Sequence, residues 1–158
     1  MTLKQALENL KHQYDTSEAL LQDPLAVVCE YEDPWDREVV AFLAASLAYG
    51  RVAPMLRAIR SALAPMGPRP AEWLRNHGPD GSRKALVGAV KSWKWRFHIG
   101  SDVAQWLGAW ALLDAESGNQ GLEAHLLPSS SSSPDTALST LILRLRELLP
   151  PSHGLRFS

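Results

Sequence analysis

From Val39 to Tyr49 the only non-apolar residue is Ser46. The run is too short to cross a bilayer, which takes about 20 apolar residues. A helix that is apolar all round in a water-soluble chain is buried all round, so this segment is expected as the interior, central helix of an all-α domain. Its borders agree. Asp33-Pro34 puts a capping side chain before a proline at the first helical position. Asp36 and Glu38 bring negative charge to the first turns, where the helix dipole favours it, and Gly50 is the expected stop. Ala41, Ala44, Ala45 and Ala48 form a small-residue stripe suited to a close neighbour, and Val40, Leu43 and Leu47 form a second apolar stripe.

Other helices are expected around this one. Thr2 to Gln5 has the capping-box form, and Leu3, Ala6, Leu7, Leu10 and Tyr14 follow helical spacing. Short helices are expected over 17–22 and 24–31. Pro54 suits the first turn of a helix lined by Met55, Ile59 and Leu63. After the proline-rich break at 64–70, a short helix is expected over 71–75, a turn over 76–82 and a basic helix over 83–93. Val103, Trp106, Leu107, Trp110 and Leu113 give the next helix a broad apolar face ending at Gly118. A short helix is expected over 121–126. Ser133-Pro134-Asp135 caps a last helix carrying Leu138, Leu141, Ile142, Leu145, Leu148 and Leu149. Between Pro128 and Pro134 lie five serines, read as a linker or a lengthened surface loop. No strand pattern and no internal repeat is seen.

At 158 residues the chain is read as one helical domain, or a large piece of one. The single cysteine, Cys29, excludes an internal disulfide and a self-contained cysteine-ligated cluster. No cofactor, metal or membrane segment is expected, and no signal peptide is seen, so a cytoplasmic location is expected. The net charge of −1 hides a segregation: residues 51–96 hold ten Lys/Arg against two Asp/Glu, while residues 1–50 hold three against nine. The basic third is either a polyanion-facing surface or the solvated outer faces of a bundle.

No catalytic residue is identified. Glu30, Glu32, Asp33, Asp36 and Glu38 are of the type that binds a divalent cation or works as an acid–base pair, yet capping explains three of the five more simply. His12, His77, His98, His125 and His153 show no metal-ligand spacing and are read mostly as surface or loop residues. In the run from Lys91 to His98, cations alternate with aromatics, a pattern that neutralises phosphates and stacks on bases. The competing reading is a helix end with its aromatics in the core and its cations in solvent.

Asp23-Pro24-Leu25, Tyr31-Glu32-Asp33-Pro34, Asp36-Arg37-Glu38-Val39-Val40, the run from Ala44 to Val52 and Trp95-Arg96-Phe97 together resemble an uncharacterised bacterial conserved-hypothetical family. That family is in turn remotely similar to the helix-hairpin-helix base-excision DNA glycosylases, which are all-helical. The resemblance implies the N-terminal portion of a glycosylase-like, irregular multi-helix orthogonal bundle. Longer members continue, after a segment like Gly154-Leu155-Arg156-Phe157, into a Gly-Ser-Ala-Cys-Lys-Arg motif and a Pro-Leu-Asp-Thr-His motif that resemble the glycosylase lysine and aspartate. This chain ends at Ser158 before either, so it is read as truncated and inactive by itself.

By the same analogy, the turn Tyr49-Gly50-Arg51 is the part that approaches DNA. A glycine permits close backbone approach, an arginine binds phosphate, and an aromatic fills a gap in stacked bases. The alternative is a plain helix–helix corner. The expected DNA-contacting residues are Tyr49, Gly50, Arg51, Lys91, Lys94 and Arg96, and the expected partner is double-stranded DNA. The competing expectation is a helical protein-interaction module, or a truncated product that self-associates through exposed apolar surface.

Overall fold

The computed structural model describes residues 2–14, 20, 22–126 and 133–149. In chain order they form α1 (Leu3–Tyr14), α2 (Leu25–Val28), α3 (Pro34–Leu47), α4 (Val52–Leu63), a 3-10 turn (Ala64–Met66) and α5 (Pro70–Ala89). Strands β1 (Lys94–Trp95) and β2 (His98–Ile99) follow, then α6 (Gly100–Glu116), α7 (Glu123–Leu126) and α8 (Pro134–Leu148). Among the described residues the chain is all-α apart from one small antiparallel hairpin, in which Lys94 faces Ile99 and Trp95 faces His98. The sequence reading missed these strands, because two residues cannot display a period-2 pattern.

The cap of α3 forms as expected: the Asp33 carboxylate accepts from the backbone N–H of Trp35 at 2.9 Å and of Asp36 at 3.2 Å. The Thr2–Gln5 capping box and the Ser133 cap also form. Two expectations for α3 need correction. The helix ends at Leu47, which leaves Tyr49 and Gly50 in the connection to α4. The rod is also not interior on every side. Val39, Val40, Leu43, Ala44 and Leu47 are buried, whereas Ala45 and Ala48 are exposed and Ala41 and Phe42 half-buried. Among the described residues, nothing covers the outer part of the alanine stripe. Ser46, the polar exception in the run, turns its hydroxyl back to donate to the Phe42 carbonyl.

Asp36 and Glu38 do more than meet the dipole of their own helix. The buried Asp36 carboxylate accepts from Ala71 N–H at 2.8 Å, satisfying an orphan donor at the start of α5. Glu38 accepts from the Trp110 indole at 2.9 Å and from the backbone of Leu122 and Glu123 at 2.7 and 3.1 Å. Capping by spacing explained Asp33 correctly; the other two carboxylates tie α3 to α5, α6 and α7.

Helix α5 joins what the sequence divided. The expected turn over 76–82 is a single break at Gly78 (φ 67°, ψ 171°) followed by Pro79, after which the helix resumes and stops at Ala89 rather than near Lys94. The buried Ser82 hydroxyl donates to the Leu74 carbonyl across the break. α5 and α6 form the most extensive helix pair. Gly108 permits part of that approach, since a Cβ there would stand 3.1 Å from Arg83 Nε.

The largest fully buried side chains include Trp106, Trp110, Leu43, Leu63, Leu74, Leu86 and Leu113. Each such Leu is worth roughly 1.5–3 kcal/mol over an exposed one. In α8, Ala137 and Leu141 are buried while Leu138, Ile142 and Leu143 are exposed. Most of the expected helix over 17–22, most of the serine run and the tail from 150 lie outside the described residues.

Candidate functional site

The α3–α4 connection and the hairpin, 46 residues apart in sequence, meet on one side of the fold. The two-residue turn of the hairpin is Arg96-Phe97. Arg96 adopts φ 50°, the left-handed backbone that a two-residue hairpin turn requires and that glycine usually supplies. Its guanidinium lies directly over Gly50, whose φ is 95°. A Cβ on Gly50 would stand 2.5 Å from Arg96 Nε and 2.8 Å from Nη2. The same guanidinium carbon is 5.7 Å from the Trp95 ring centroid, a cation–π distance.

Tyr49 is half-buried, with its ring 6.2 Å from Trp95 and edge-on to His98 at 5.7 Å; its hydroxyl donates to the Trp95 carbonyl at 3.4 Å. Burial pushes the Tyr49 phenol above its ordinary value, opposed by the nearby Arg96 cation and reinforced by Asp102. His98 is buried between the Tyr49 and Trp106 rings, 4.8 Å from the latter, and its Nδ1 is 3.6 Å from Asp102 Oδ2. This corrects the reading of His98 as a surface residue. Asp102 also accepts from Ile99 N–H at 2.8 Å, which fixes the start of α6 directly after β2. At the other end of the hairpin, the Trp93 indole donates to the Ala58 carbonyl at 2.9 Å and to the Ser61 hydroxyl at 3.0 Å. The hairpin is therefore held between Ala58 on α4 and the Tyr49-Gly50 connection that precedes this helix.

The aromatic–cation alternation does not hold as a single extended strand. Trp93 and Trp95 face the body of the protein, whereas Phe97, beyond the turn, is 85% exposed. Of the expected residues, Gly50 and Arg96 are in contact and Tyr49 lies against the hairpin. Arg51 caps α4 and is exposed, Lys94 is exposed on β1, and Lys91 is exposed between α5 and β1. Arg51, Lys91, Lys94 and Arg96 have no carboxylate within ion-pair distance among the described residues.

The rest of the basic third divides clearly. Arg60 pairs with Glu30, Arg69 with Glu72 and Arg83 with Asp80. Arg75 forms two hydrogen bonds to the buried Asp114 at 2.8 and 2.9 Å and lies 5.2 Å from the Trp35 ring centroid. Those four arginines serve the fold. Arg57 and Lys84 are exposed and unpaired among the described residues, Arg57 on α4 and Lys84 on α5. The sequence reading singled out the Lys91–His98 run but left Trp95 and Phe97 off the expected contact residues, and it did not place His98 in this cluster. The signal available was the Arg-Phe pair between Lys94-Trp95 and His98-Ile99, two strands too short to be read as a hairpin.

Among the described residues, no group of three or more His, Cys, Asp or Glu is placed to hold a metal ion. No helix there is long and apolar enough to cross a membrane. Comparison with curated proteins and with solved structures yields no match. The family model described as "Protein of unknown function (DUF2400)" matches residues 23–156, a span that takes in the central helix, the Gly50 corner and the hairpin, and the chain belongs to that family.

Proposed function

We propose that this chain binds the phosphate backbone of DNA through Tyr49, Gly50, Arg51, Lys91, Lys94 and Arg96, as the DNA-contacting part of a glycosylase-like protein, with no catalytic residue of its own. The observation that carries the reading is the Arg96 guanidinium, held over Gly50 by a hairpin braced at both ends and lacking a carboxylate partner among the described residues. Ordering a cation without neutralising it is costly for a fold and useful for an anion site. The missing side chain at Gly50 is what makes room for that guanidinium. The glycosylase likeness rests on sequence resemblance alone and adds a fold-level analogy.

The test is fluorescence anisotropy of a labelled duplex at low salt. Wild type is expected to bind, and the double variant Arg51→Gln/Arg96→Gln to bind roughly 10-fold more weakly for any sequence. Absence of wild-type binding at low salt would end the proposal.

The row Leu3, Leu7 and Leu10 on α1, exposed at 78%, 59% and 57%, supports a second reading: a helical module that docks a protein or a second copy. Concentration-dependent sedimentation that Leu7→Gln abolishes would favour it.

A further inference from the structure

We propose that Phe97 is a stacking wedge, so that the preferred ligand of this face is DNA whose base stack is interrupted by a gap or an unpaired base. The inference rests on the DNA-backbone reading above and names its substrate class.

Phe97 is the most exposed large apolar side chain among the described residues, more so than Leu3 at 78%. It stands at the second turn position of a two-residue hairpin, directly after the unpaired Arg96. The turn is held in place rather than hanging free. Trp93 is hydrogen-bonded to α4, Trp95 packs against Tyr49, and His98 lies between Tyr49 and Trp106. The guanidinium of Arg96 lies over Gly50. An aromatic ring is thus projected from a fixed base into solvent, on a hairpin that also carries the exposed cations Lys94 and Arg96.

The charge around the ring selects among its possible occupants. An apolar protein partner would have to desolvate these cations, whereas a nucleic acid neutralises them with phosphates while a base covers the ring. Intact duplex offers such a ring little, since its bases are already stacked, and insertion into it costs unstacking energy. At a gap or unpaired base that cost is already met by the ligand.

The experiment compares binding of the full chain to an intact duplex and to a duplex of equal length with a one-nucleotide gap, by anisotropy at one low salt concentration. Wild type is expected to prefer the gapped duplex by about 10-fold, within the range that base–aromatic stacking supplies. Phe97→Ala is expected to bring the two affinities together without changing the salt dependence, and Phe97→Trp to restore the preference. A 2-aminopurine beside the gap should change its fluorescence with wild type and not with Phe97→Ala. Because Phe97 is exposed, the variants should keep the wild-type unfolding curve. Clear binding of both duplexes with no preference, or a preference that Phe97→Ala retains, overturns the wedge and leaves the backbone reading standing. Binding of neither duplex overturns both. A wild-type dimer that Phe97→Ala converts to monomer, with DNA binding unchanged, makes Phe97 a contact between copies and also overturns the wedge.

Discussion

Arg96 occupies backbone that glycine normally fills, at a cost of about 1–2 kcal/mol for a residue with a Cβ. The conformation persists because the hairpin around it is anchored on both sides. Replacing it separates stability from binding. Arg96→Gly is expected to keep stability within about 1 kcal/mol of wild type, or raise it, in urea unfolding, while duplex affinity falls. A large loss of stability would mean that the guanidinium serves the fold.

Asp36 tests a different residue-level claim. Burial is the main influence on its carboxyl and holds it above the ordinary aspartate range, only partly offset by the Ala71 N–H; Asp33 and Glu72 raise it further and Arg69 lowers it. Its contribution to stability is therefore present below the unfolded value, about 3.9, and is lost as pH rises through the raised folded value. Asp36→Asn keeps an acceptor for Ala71 and removes the titration. Urea unfolding across pH should show the variant gaining on wild type as pH rises above about 4 and levelling off past the raised value. A difference independent of pH would contradict this.

At the scale of elements, the fold depends on polar hubs and close approaches as much as on apolar stripes. Glu38 on α3 holds α6 through the Trp110 indole and α7 through two backbone donors. Glu38→Ala should cost about 3 kcal/mol in urea unfolding, since it strands an indole N–H and two amides; Glu38→Gln should recover part of that. Gly100 begins α6 against the end of α5, where a Cβ would stand 1.8 Å from the Val90 carbonyl oxygen. Gly100→Ala should therefore destabilise by about 3 kcal/mol or more and disturb the neighbouring hairpin, visible as a changed Trp emission. An unchanged unfolding midpoint would show that the two helices can separate without loss.

These elements also mark what was readable in the chain. Caps and 3.6-residue periods are local, so α1, α3, α6 and α8 were legible from Thr2, Asp33, Ser133 and the spaced Leu and Trp residues. The roles of Asp36 and Glu38 were not, because their partners lie 35 and 72 or more residues away. The break at Gly78 looked like a loop, because glycine and proline signal a change of direction without saying whether the helix resumes. The hairpin was invisible because its strands are two residues long. Of the candidate site, the cations were legible as types, but their division into four paired and six unpaired depends on which carboxylates the fold brings near.

For the molecule as a whole, that division is the basis of the functional reading. Arg60, Arg69, Arg75 and Arg83 are committed to carboxylates, and the pair between half-buried Arg75 and buried Asp114 is the most structural of them. Arg51, Lys91, Lys94 and Arg96 have no carboxylate partner among the described residues, and under the proposed function they meet an outside anion. The slope of log affinity against log salt for duplex DNA tests this most directly. Four phosphate contacts predict a slope near −3.6, and each of Arg51→Gln, Lys91→Gln, Lys94→Gln and Arg96→Gln should reduce it by about 0.9, whereas Lys84→Gln on α5 should leave it unchanged. A slope near zero, or one that Lys84→Gln flattens as much as Arg96→Gln does, would contradict the account.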